Sequence, residues 1–552
     1  MSDVQIIIDG KLLEIDDNTA IGISFSGFNF AEPGRIHLSY SNSFTVPLTS
    51  VNRSIFSFYD DMNTNSIVVN GGMYSSKQFR MFIDGAFVFS GKIYVESYGD
   101  ERMTLHIISG RDFFDTMKDI NMFDVTSICA GKLNEAIDTA YPSGASFSNI
   151  VDYMASSNND VWMPYAVGLL NRTYPYAKAD EDSGVIKCAN RYDDTDNDNG
   201  KYRWDIDNES IITTEFITDS DVVGDYKSGH FFVNLYSLLQ WTFSNYGYGV
   251  TFAQSVQNSI QQQFVRMQDL VLYKDLVNSA FSFRADNLYH YKIGEDKVTA
   301  SSTKVPFIDL IKAIVSEYCL VVDIDAQNNI HFNTFNEIKS IEPKIYESSR
   351  IINRSTKIDG IPQLGWITYS DLGDSTTTTG GVRIVCNNTN IDKGGEDTSI
   401  LTIGRYLPGY FEYKYTDSED VQKSTFALNL SDSSINEKIV IISKSDDQTP
   451  YRIRVDRIYK GNSETTKYAN LKRGYLSTVS NNGYWDLFRV NCEYPEVITI
   501  ECRIDDFELI NFSAYNFARF STIPGAWYIQ SIDGYNPRLV NSLVNVTAIR
   551  IR

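Results

Sequence analysis

The sequence predicts an α+β fold in which β structure predominates, and three observations support this class. The chain of 552 residues contains 35 Tyr and 32 Phe but only 13 Pro, and aromatic rings pack well on pleated strand surfaces. Short runs with alternating apolar and polar residues are separated by Asp-Gly turns. Two longer segments instead carry apolar residues at helical spacing.

The chain is longer than one hydrophobic core usually supports, because a domain typically holds about 150 residues. We expect four units. These are an N-terminal β domain over residues 1–128, an inserted or peripheral lobe over 129–228, a region of helix and strand units over 229–345, and a second β domain over 346–552.

The N-terminal unit is predicted to be a meander of short antiparallel strands. Residues 5–8 and 12–15 flank Asp9-Gly10, and residues 79–83 and 86–89 flank Asp84-Gly85. Both dipeptides favour a two-residue hairpin turn, in which the two central residues have positive φ. Strands over 92–97 and 103–108 should follow, the latter with Leu105 and Ile107 on one face.

Apolar periodicity weakens between about residues 130 and 225, which favours a peripheral lobe. The acidic run over 191–200 resembles a calcium loop, because alternate carboxylates can bind one hard cation. The spacing fails: counting from Asp194 puts Asn199 where the sharp turn needs Gly, and counting from Thr195 puts Ile206 where a bidentate Glu is needed. We expect an exposed acidic turn, with a metal site as the alternative.

Two segments of the third unit match each other without gaps. Residues 233–247 place Leu235, Leu238, Leu239 and Phe243 on one helical face and lead into a strand. Residues 305–319 repeat this pattern, with Cys319 at the position of Gly247, and lead into a strand over 320–324. A strand over 330–332 should complete a helix packed on a hairpin. Duplication and convergence both explain the match.

The C-terminal end is predicted to be a hairpin. A strand over 526–533, a turn over 534–537 and a returning strand over 543–550 are indicated by alternating apolar residues on either side of a Gly-Tyr-Asn-Pro segment.

The net charge of −21 makes sequence-specific binding to nucleic acid improbable, because phosphate contacts need clustered cations. The sequence shows neither a membrane-spanning run nor a signal peptide, so the chain is expected to begin in a cytosol. The six cysteines have no C-x-x-C pair and predict no zinc site. Buried free thiols are expected, with a Cys492–Cys502 disulfide as the alternative.

No catalytic motif is found, and we expect neither enzymatic activity nor a metal or cofactor. The five histidines are His37, His106, His230, His290 and His331. Those at 37, 106 and 331 lie in strand-like runs, where hydrogen-bonded structural imidazoles are usual. A glycosidase carboxylate pair is the alternative, because the fold alone can bring two acidic residues together.

The segment over residues 35–56 resembles a signature of tail proteins from phages and prophages of Bacteroidetes hosts, including crAss-like phages. The matching positions are Ser43, Phe44, Thr45, Pro47, Asn52, Ile55 and Phe56. The family continues with a strand and an Asp-Gly turn, as at Asp84 and Gly85. It ends with a Tyr-Asn-Pro turn between strands, as at Tyr535, Asn536 and Pro537.

This resemblance implies a hub-like or baseplate-like structural protein of the virion, in which two β-barrel-like domains per subunit ring a central channel. Expected partners are further copies of the chain, in a trimer or hexamer ring, and other tail proteins. Phage DNA would pass through the ring transiently, and the acidic excess would keep phosphates from binding to the wall.

Two other functions remain open at this point. A carbohydrate-binding or receptor-binding tail protein would expose aromatic rings around a groove, for which Trp162, Tyr174, Tyr176 and Trp204 are candidates, although core or interface packing also explains them. A tail-associated depolymerase is the other alternative.

Overall fold

In the computed structural model of the chain, the described residues are 3–17, 19–30, 40–41, 43–56, 76–109, 116–145, 153, 161–164, 168–169, 202–205, 210–213, 231–267, 270–274, 281–285, 291–292, 299–300, 305–325, 329–346, 351–357, 361, 364–369, 382–385, 399–403, 410–416, 422–428, 441–444, 452–454, 468–470, 484–504, 512–515, 517–539 and 542–552.

Within these residues, strands predominate over helices, which confirms the predicted class. The helices are α1 Ser50–Phe56, α2 Met122–Ala140, α3 Leu235–Asn245, α4 Gln254–Ile260, α5 Phe307–Glu317, α6 Phe335–Lys339 and α7 Asp486–Glu493. The strands are β1 Val4–Ile8, β2 Lys11–Leu12, β3 Ile23–Ser26, β4 Tyr40–Ser41, β5 Phe44–Pro47, β6 Lys77–Ile83, β7 Ala86–Tyr98, β8 Arg102–Ser109, β9 Trp162–Pro164, β10 Gly168–Leu169, β11 Tyr202–Asp205, β12 Ser210–Thr213, β13 Phe231–Asn234, β14 Gly249–Phe252, β15 Gln263–Met267, β16 Leu270–Lys274, β17 Phe281–Ala285, β18 Tyr291–Lys292, β19 Thr299–Ala300, β20 Leu320–Ile324, β21 Asn329–Thr334, β22 Lys344–Tyr346, β23 Ile351–Lys357, β24 Leu364–Tyr369, β25 Val382–Val385, β26 Ser399–Ile403, β27 Tyr410–Thr416, β28 Gln422–Leu428, β29 Ile441–Lys444, β30 Arg452–Arg454, β31 Tyr468–Asn470, β32 Val497–Arg503, β33 Phe517–Phe520, β34 Ile523–Tyr535 and β35 Leu543–Ile551.

A 14-stranded sheet joins the two ends of the chain. Eight of its strands come from the first 109 residues and six from the region after residue 343. The first half-sheet has the order β2-β1-β6-β7-β8-β5, and the second has the order β22-β33-β34-β35-β32-β23. Strands β4 and β3 connect them, because β4 pairs with β8 and β3 pairs with β34. We call these the N-terminal and C-terminal half-sheets.

Two hydrophobic cores lie on opposite faces of the C-terminal half-sheet. Trp527 belongs to the core shared by both half-sheets. Its neighbour Tyr528 belongs to the core of a second body, which includes α2, α3 and α5 and which we call the central lobe. This alternation follows from the two-residue period of a strand. The lobe core contains the apolar faces of α2, α3 and α5, so the central part of the chain packs on the sheet.

The predicted Asp-Gly hairpins are confirmed. Asp9 and Gly10 have φ of 49° and 80°, and Asp84 and Gly85 have φ of 49° and 77°. Each pair closes a two-residue loop, between β1 and β2 and between β6 and β7. The expected second arm over 12–15 is shorter, because β2 ends at Leu12 and the backbone of Glu14 bonds to the side chain of Asn52 instead.

Two strand boundaries differ from the prediction because neighbouring strands continue the pairing. The predicted strands over 86–89 and 92–97 form one strand, β7, since Gly91 between them pairs with Phe79 and with Ser109. In the C-terminal hairpin, β34 extends through Tyr535, which pairs with Ile23 of β3. The turn therefore follows Tyr535 instead of including it.

The two helix and strand units are confirmed as α3-β14 and α5-β20, and both strands flank β21. β14 runs parallel to β21 and β20 runs antiparallel to it. The first helix begins at Leu235 instead of residue 233, because residues 231–234 pair as β13 and the Asn234 side chain caps the helix by accepting from Ser237 N.

Helices α3 and α5 are each followed by a residue whose backbone has the left-handed conformation, at matching positions of the two units. Gly247 has a φ of 81° and Cys319, at the matching position, has a φ of 50°. After α3, Gly247 N donates to Ser244 O and Tyr248 N donates to Phe243 O, which is the Schellman arrangement.

Helix α2 was not predicted from the sequence, and the boundary expected after residue 128 lies inside it. Asn121 caps it, with Asp124 completing a capping box. The boundary expected after residue 345 lies inside β22. Among the described residues, no helix is long and apolar enough to cross a membrane.

Candidate functional site

Asn52 is the polar centre of the sequence signature, and its side chain joins the two ends of the N-terminal half-sheet. Its Oδ1 accepts from Glu14 N at 2.9 Å, and its Nδ2 donates to Glu14 O at 2.7 Å and to Pro47 O at 2.8 Å. Glu14 follows edge strand β2, and Pro47 ends β5 at the opposite edge. We call this junction the N-terminal seam.

The half-sheet must curl strongly to bring its first and last strands to one amide group. Asn52 is fully buried, and three of its hydrogen-bonding positions are satisfied, which offsets the cost of removing the amide from water. Its own backbone N donates to Thr49 Oγ1 at 3.2 Å, which fixes the start of α1.

The apolar residues of the signature fill the interior beside this seam. The buried members of the shared core in this region are Phe44, Val46, Ile55 and Phe56. Pro47 ends β5 opposite Arg102, and the chain then turns into α1. The signature therefore encodes a strand, a turn and a helix that close one end of the curled sheet.

Ser43 and Thr45 line an open cleft beside the N-terminal seam, with a volume of about 620 Å³. The Arg102 guanidinium lies 2.7 Å from the Asp16 carboxylate across this cleft. Thr45 O accepts from the Thr19 hydroxyl at 3.2 Å. The cleft is therefore formed by the same segments that the seam joins.

His106 lies next to the cleft, where its Nδ1 is 3.4 Å from Ser43 Oγ. Burial lowers the pKa of His106, and the nearby Glu96 carboxylate partly opposes this shift. The imidazole is a hydrogen-bonded part of β8, as expected for this histidine.

The Asp84-Gly85 turn is tied to the start of the chain. Asp84 N donates to Asp3 O at 2.8 Å, and Asp3 N donates to Asp84 Oδ1 at 2.7 Å. The carboxylate thus anchors the residue that precedes β1. The role of this pair is to set the hairpin and its register.

The Tyr-Asn-Pro segment lies far from the signature in sequence but close to it in space. Tyr535 is fully buried, and Asn536 Oδ1 accepts from Arg538 N at 3.1 Å. The Arg538 guanidinium donates to Asp16 O. Because the adjacent Glu14 bonds to Asn52, residues 13–17 connect the first matched motif with the residue that follows the last one.

A second polar group lies on the central three-stranded sheet. The Thr251 hydroxyl is 2.7 Å from His331 Nδ1, and His331 Nε2 is 3.1 Å from Asp325 Oδ2. This order of groups resembles a nucleophile, base and acid chain. However, Asp325 also accepts from Asn329 N and Asn329 Nδ2, so its carboxylate holds the turn between β20 and β21.

Asp323 and Tyr515 connect this sheet to the segment before β33. The Ser513 hydroxyl donates to Asp323 Oδ2 at 2.5 Å, and the Tyr515 hydroxyl donates to His331 O at 2.5 Å. Burial raises the pKa of Asp323, and the Ser513 hydrogen bond partly opposes this shift. Burial likewise raises the pKa of Tyr515. These contacts hold the lobe against the C-terminal part of the chain.

An exposed aromatic groove is not supported by Trp162, the one candidate residue whose side chain the structure describes. Trp162 is only 2% exposed and stacks on Trp241 with ring centroids 5.7 Å apart, so it belongs to the lobe core. Trp204 lies in β11, but its side chain is not among those described. Tyr174, Tyr176 and the acidic run counted from Asp194 lie outside the described residues.

The cysteines whose positions are described are buried free thiols, as expected. They are Cys129, Cys319, Cys492 and Cys502, and burial raises the pKa of Cys129 and Cys319. A Cys492–Cys502 disulfide is therefore wrong. Cys188, Cys386, His37, His230 and His290 lie outside the described residues.

The strands of the large sheet differ in charge from the chain as a whole. The 14 strands of the large sheet contain 11 Lys and Arg but only 3 Asp and Glu, although the chain as a whole has 49 and 70. These strands alone therefore do not supply an acidic wall. The excess of cations has no sequence signal, because it is spread over nine strands with at most two cations in each.

The comparisons with known proteins give a structural likeness only. No protein-family model matches the sequence, and no curated protein is similar to it. The 43 kDa tail protein of prophage MuSo2 from Shewanella oneidensis has a TM-score of 0.36 and 9% identity, covering 100% of this chain and 98% of that chain. A tail protein from Neisseria meningitidis MC58 has a TM-score of 0.33 and 7% identity, over 100% and 96%. Prophage tail protein gp18 from Listeria monocytogenes EGD-e has a TM-score of 0.30 and 9% identity, over 99% and 94%.

Proposed function

We propose that this chain is a non-enzymatic structural component of a bacteriophage tail, of the hub or baseplate type. In this proposal, copies of the chain form a ring of three or six β-rich subunits around the channel for DNA ejection, join neighbouring tail proteins and reside in the virion. The tail proteins of Bacteroidetes phages, including crAss-like phages, are the family that the sequence signature resembles.

One observation carries the proposal. Motif 43–56 bonds directly to residues 14 and 19, and Arg538, held by Asn536 of motif 535–537, donates to Asp16 O in the same segment; all three motifs have architectural roles. Asn52 joins the sheet ends, Asp84 sets a hairpin and Tyr535 is buried in the shared core. Residues with these roles build a scaffold.

The C-terminal half-sheet also curls, which supports two barrel-like units per subunit. Its end strands β22 and β23 are separated by only four residues of chain, which span at most about 17 Å. Five strand spacings in a flat sheet would separate these ends by about 24 Å. The half-sheet must therefore bend its ends towards each other.

The proposal includes passage of DNA through the ring, with the acidic surface of the channel supplied by residues outside the strands of the large sheet. Since the strands of the large sheet carry an excess of cations, acidic residues outside these strands must face the DNA to prevent phosphate binding. The acidic excess of the chain lies in those other segments.

Cryo-electron microscopy of the intact phage particle, with this chain traced in the density, tests the proposal. We expect the chain to form a ring around the tail axis. A position on a peripheral fibre would contradict the hub role and favour receptor binding. An assay on host capsule and peptidoglycan would separately identify a depolymerase, for which we expect no activity.

A further inference from the structure

The C-terminal half-sheet lacks the closure that the N-terminal half-sheet has. Its end strands β22 and β23 pair with β33 and β32 on one side. On the other side, neither pairs with another strand in the described part of the chain. We call the region between these two free edges the C-terminal seam.

Large aliphatic side chains are exposed at this seam. Ile345 on β22 is 68% exposed and Ile352 on β23 is 48% exposed. Few large hydrophobic residues are this exposed in the described chain, and free strand edges that also carry exposed aliphatics are prone to pair with another chain.

Unpaired cations flank these aliphatics. Arg519 lies directly opposite Ile345 in the sheet register, and Arg354 lies two residues after Ile352. Both guanidinium groups are exposed, and neither has an acidic partner within salt-bridge distance among the described residues. The C-terminal seam therefore combines aliphatic surface with positive charge on a chain whose net charge is −21.

The opposite end of the same 14-stranded sheet also exposes aliphatic side chains, and its exposed charged residues are Lys11 and Glu14. Leu12 on edge strand β2 is 52% exposed and Val51 on α1 is 36% exposed. The segments that carry these two residues are held together, because Lys11 Nζ donates to Ser54 Oγ at 3.3 Å and Asn52 bonds to the backbone of Glu14. The Glu14 carboxylate is exposed beside them. We call this the N-terminal edge.

We propose that the C-terminal seam of one copy of this chain receives the N-terminal edge of a second copy. Leu12 and Val51 would cover the exposed aliphatics Ile345 and Ile352, and Glu14 would lie near Arg354 and Arg519. The contact joins two different surfaces, so it repeats head to tail and closes into a ring when the rotation between copies allows. This inference rests on the proposed ring-forming function and names the surfaces that form the ring.

The length of the free edge determines how the copies join. The Asn52 side chain already bonds to the backbone N–H and C=O groups of Glu14. A strand from a neighbouring copy therefore cannot pair with this edge beyond Leu13. The contact therefore depends on side chains more than on a long shared ladder. Charge reversal should consequently weaken it strongly.

Cysteine cross-linking of the purified full-length chain tests the contact. The double variant Leu12→Cys with Ile352→Cys should form disulfides between chains under mild oxidation, and mass spectrometry should identify peptides linked through positions 12 and 352. Each single variant and the unmodified chain are controls, since four of the native thiols are buried. Links between two copies of position 352 would overturn the head-to-tail contact.

A charge exchange supplies an independent readout. Arg354→Glu should raise the concentration needed for half-maximal assembly by about tenfold, because it places two acidic groups together. Adding Glu14→Arg should restore assembly, whereas Glu14→Arg alone should weaken it. Circular dichroism checks that these exposed substitutions leave the fold intact.

The two proposals fail in different ways. If rings form in solution and in the tail but the 12–352 link and the charge exchange have no effect, the proposed contact is wrong and the tail role stands. If the particle density places the chain outside the tail axis, the tail-ring role fails. A 12–352 link would then still establish the contact between copies.

Discussion

The N-terminal and C-terminal half-sheets each contain six strands and a long strand of 13 residues, β7 in one and β34 in the other. Each long strand lies next to a strand joined to it by a two-residue turn. The half-sheets differ at their ends. The N-terminal ends meet at the buried amide of Asn52, whereas the C-terminal ends leave free edges with Ile345 and Ile352 exposed.

This difference indicates that closure of a curled sheet is encoded by a few side chains and not by the strands. A buried amide with three partners can join two edges that no ladder connects. The edges of the C-terminal half-sheet have no such link among the described residues, and free edges can pair with another chain. The N-terminal half-sheet therefore closes on itself, and the proposed contact between copies would use the edges of the C-terminal half-sheet.

The largest expected effect is the loss of an aromatic ring inside the closed half-sheet. Phe56 is buried in the shared core, so Phe56→Ala should reduce the free energy of unfolding by about 4 kcal/mol. Ile345→Ala, at the open seam, should change it by about 0.5 kcal/mol or less. Urea denaturation of the dilute, unassembled chain measures both. Equal effects would mean that the C-terminal seam is filled by its own chain.

Loss of the Asn52 amide at the N-terminal seam should reduce the free energy of unfolding nearly as much. Asn52→Ala leaves Glu14 N, Glu14 O and Pro47 O without their partner, and we expect a loss of about 3 kcal/mol. The matched control is Asn353→Ala, since exposed Asn353 donates to Glu501 Oε2 at 2.5 Å and should contribute about 0.5 kcal/mol. A small effect at Asn52 would contradict the closure of the N-terminal half-sheet by this side chain.

A smaller effect is expected at the hairpin turn of the first half-sheet. Gly85 has a φ of 77°, and a Cβ there would meet no atom within 4 Å. Gly85→Ala should therefore cost about 1 kcal/mol through backbone strain alone. The corresponding turn of the second half-sheet is Ser521-Thr522, whose residues do not have positive φ. Thr522→Ala should thus leave thermal stability almost unchanged.

The smallest expected effect depends on pH and concerns the contact between the lobe and the C-terminal part. Burial raises the pKa of Asp323, so between its unfolded and folded pKa values the folded chain holds a proton that the unfolded chain has lost. Stability should decrease as pH rises through this window. Asp323→Asn should remove that decrease, and Ser513→Ala should move the window to higher pH. Thermal unfolding followed across pH measures both, and an unchanged profile would contradict the account.

Local features of the fold were predictable from sequence. The Asp-Gly turns and the ends of α3 and α5 depend on residues within one turn of each other, and they were identified. Helix α2 was missed although Asn121 and Asp124 form a capping signal before it. Its buried residues also recur at helical spacing, from Met122 to Ile137, but the predicted domain boundary after residue 128 divided this pattern.

The joining of the two ends of the chain in one sheet could not be read from local patterns. β3 pairs with β34 across some 500 residues, and Asn52 has partners at Glu14 and Pro47 that only the folded chain brings together. The resemblance named Asn52 as a matching position, but the role of its side chain became visible only in the folded chain. The contacts of Asp16 with Arg102 and Arg538 likewise had no sequence signal.

Hydrogen exchange of the isolated and the assembled chain tests the difference between the two seams most directly. The amide of Glu14, bound by Asn52, should be protected in both states. The amides of β23 that donate to β32 should be protected in both states. The amides on its free side should exchange rapidly in the isolated chain and more slowly on assembly. Slow exchange of these free-side amides in the isolated chain, or equally rapid exchange in both states, would contradict the account.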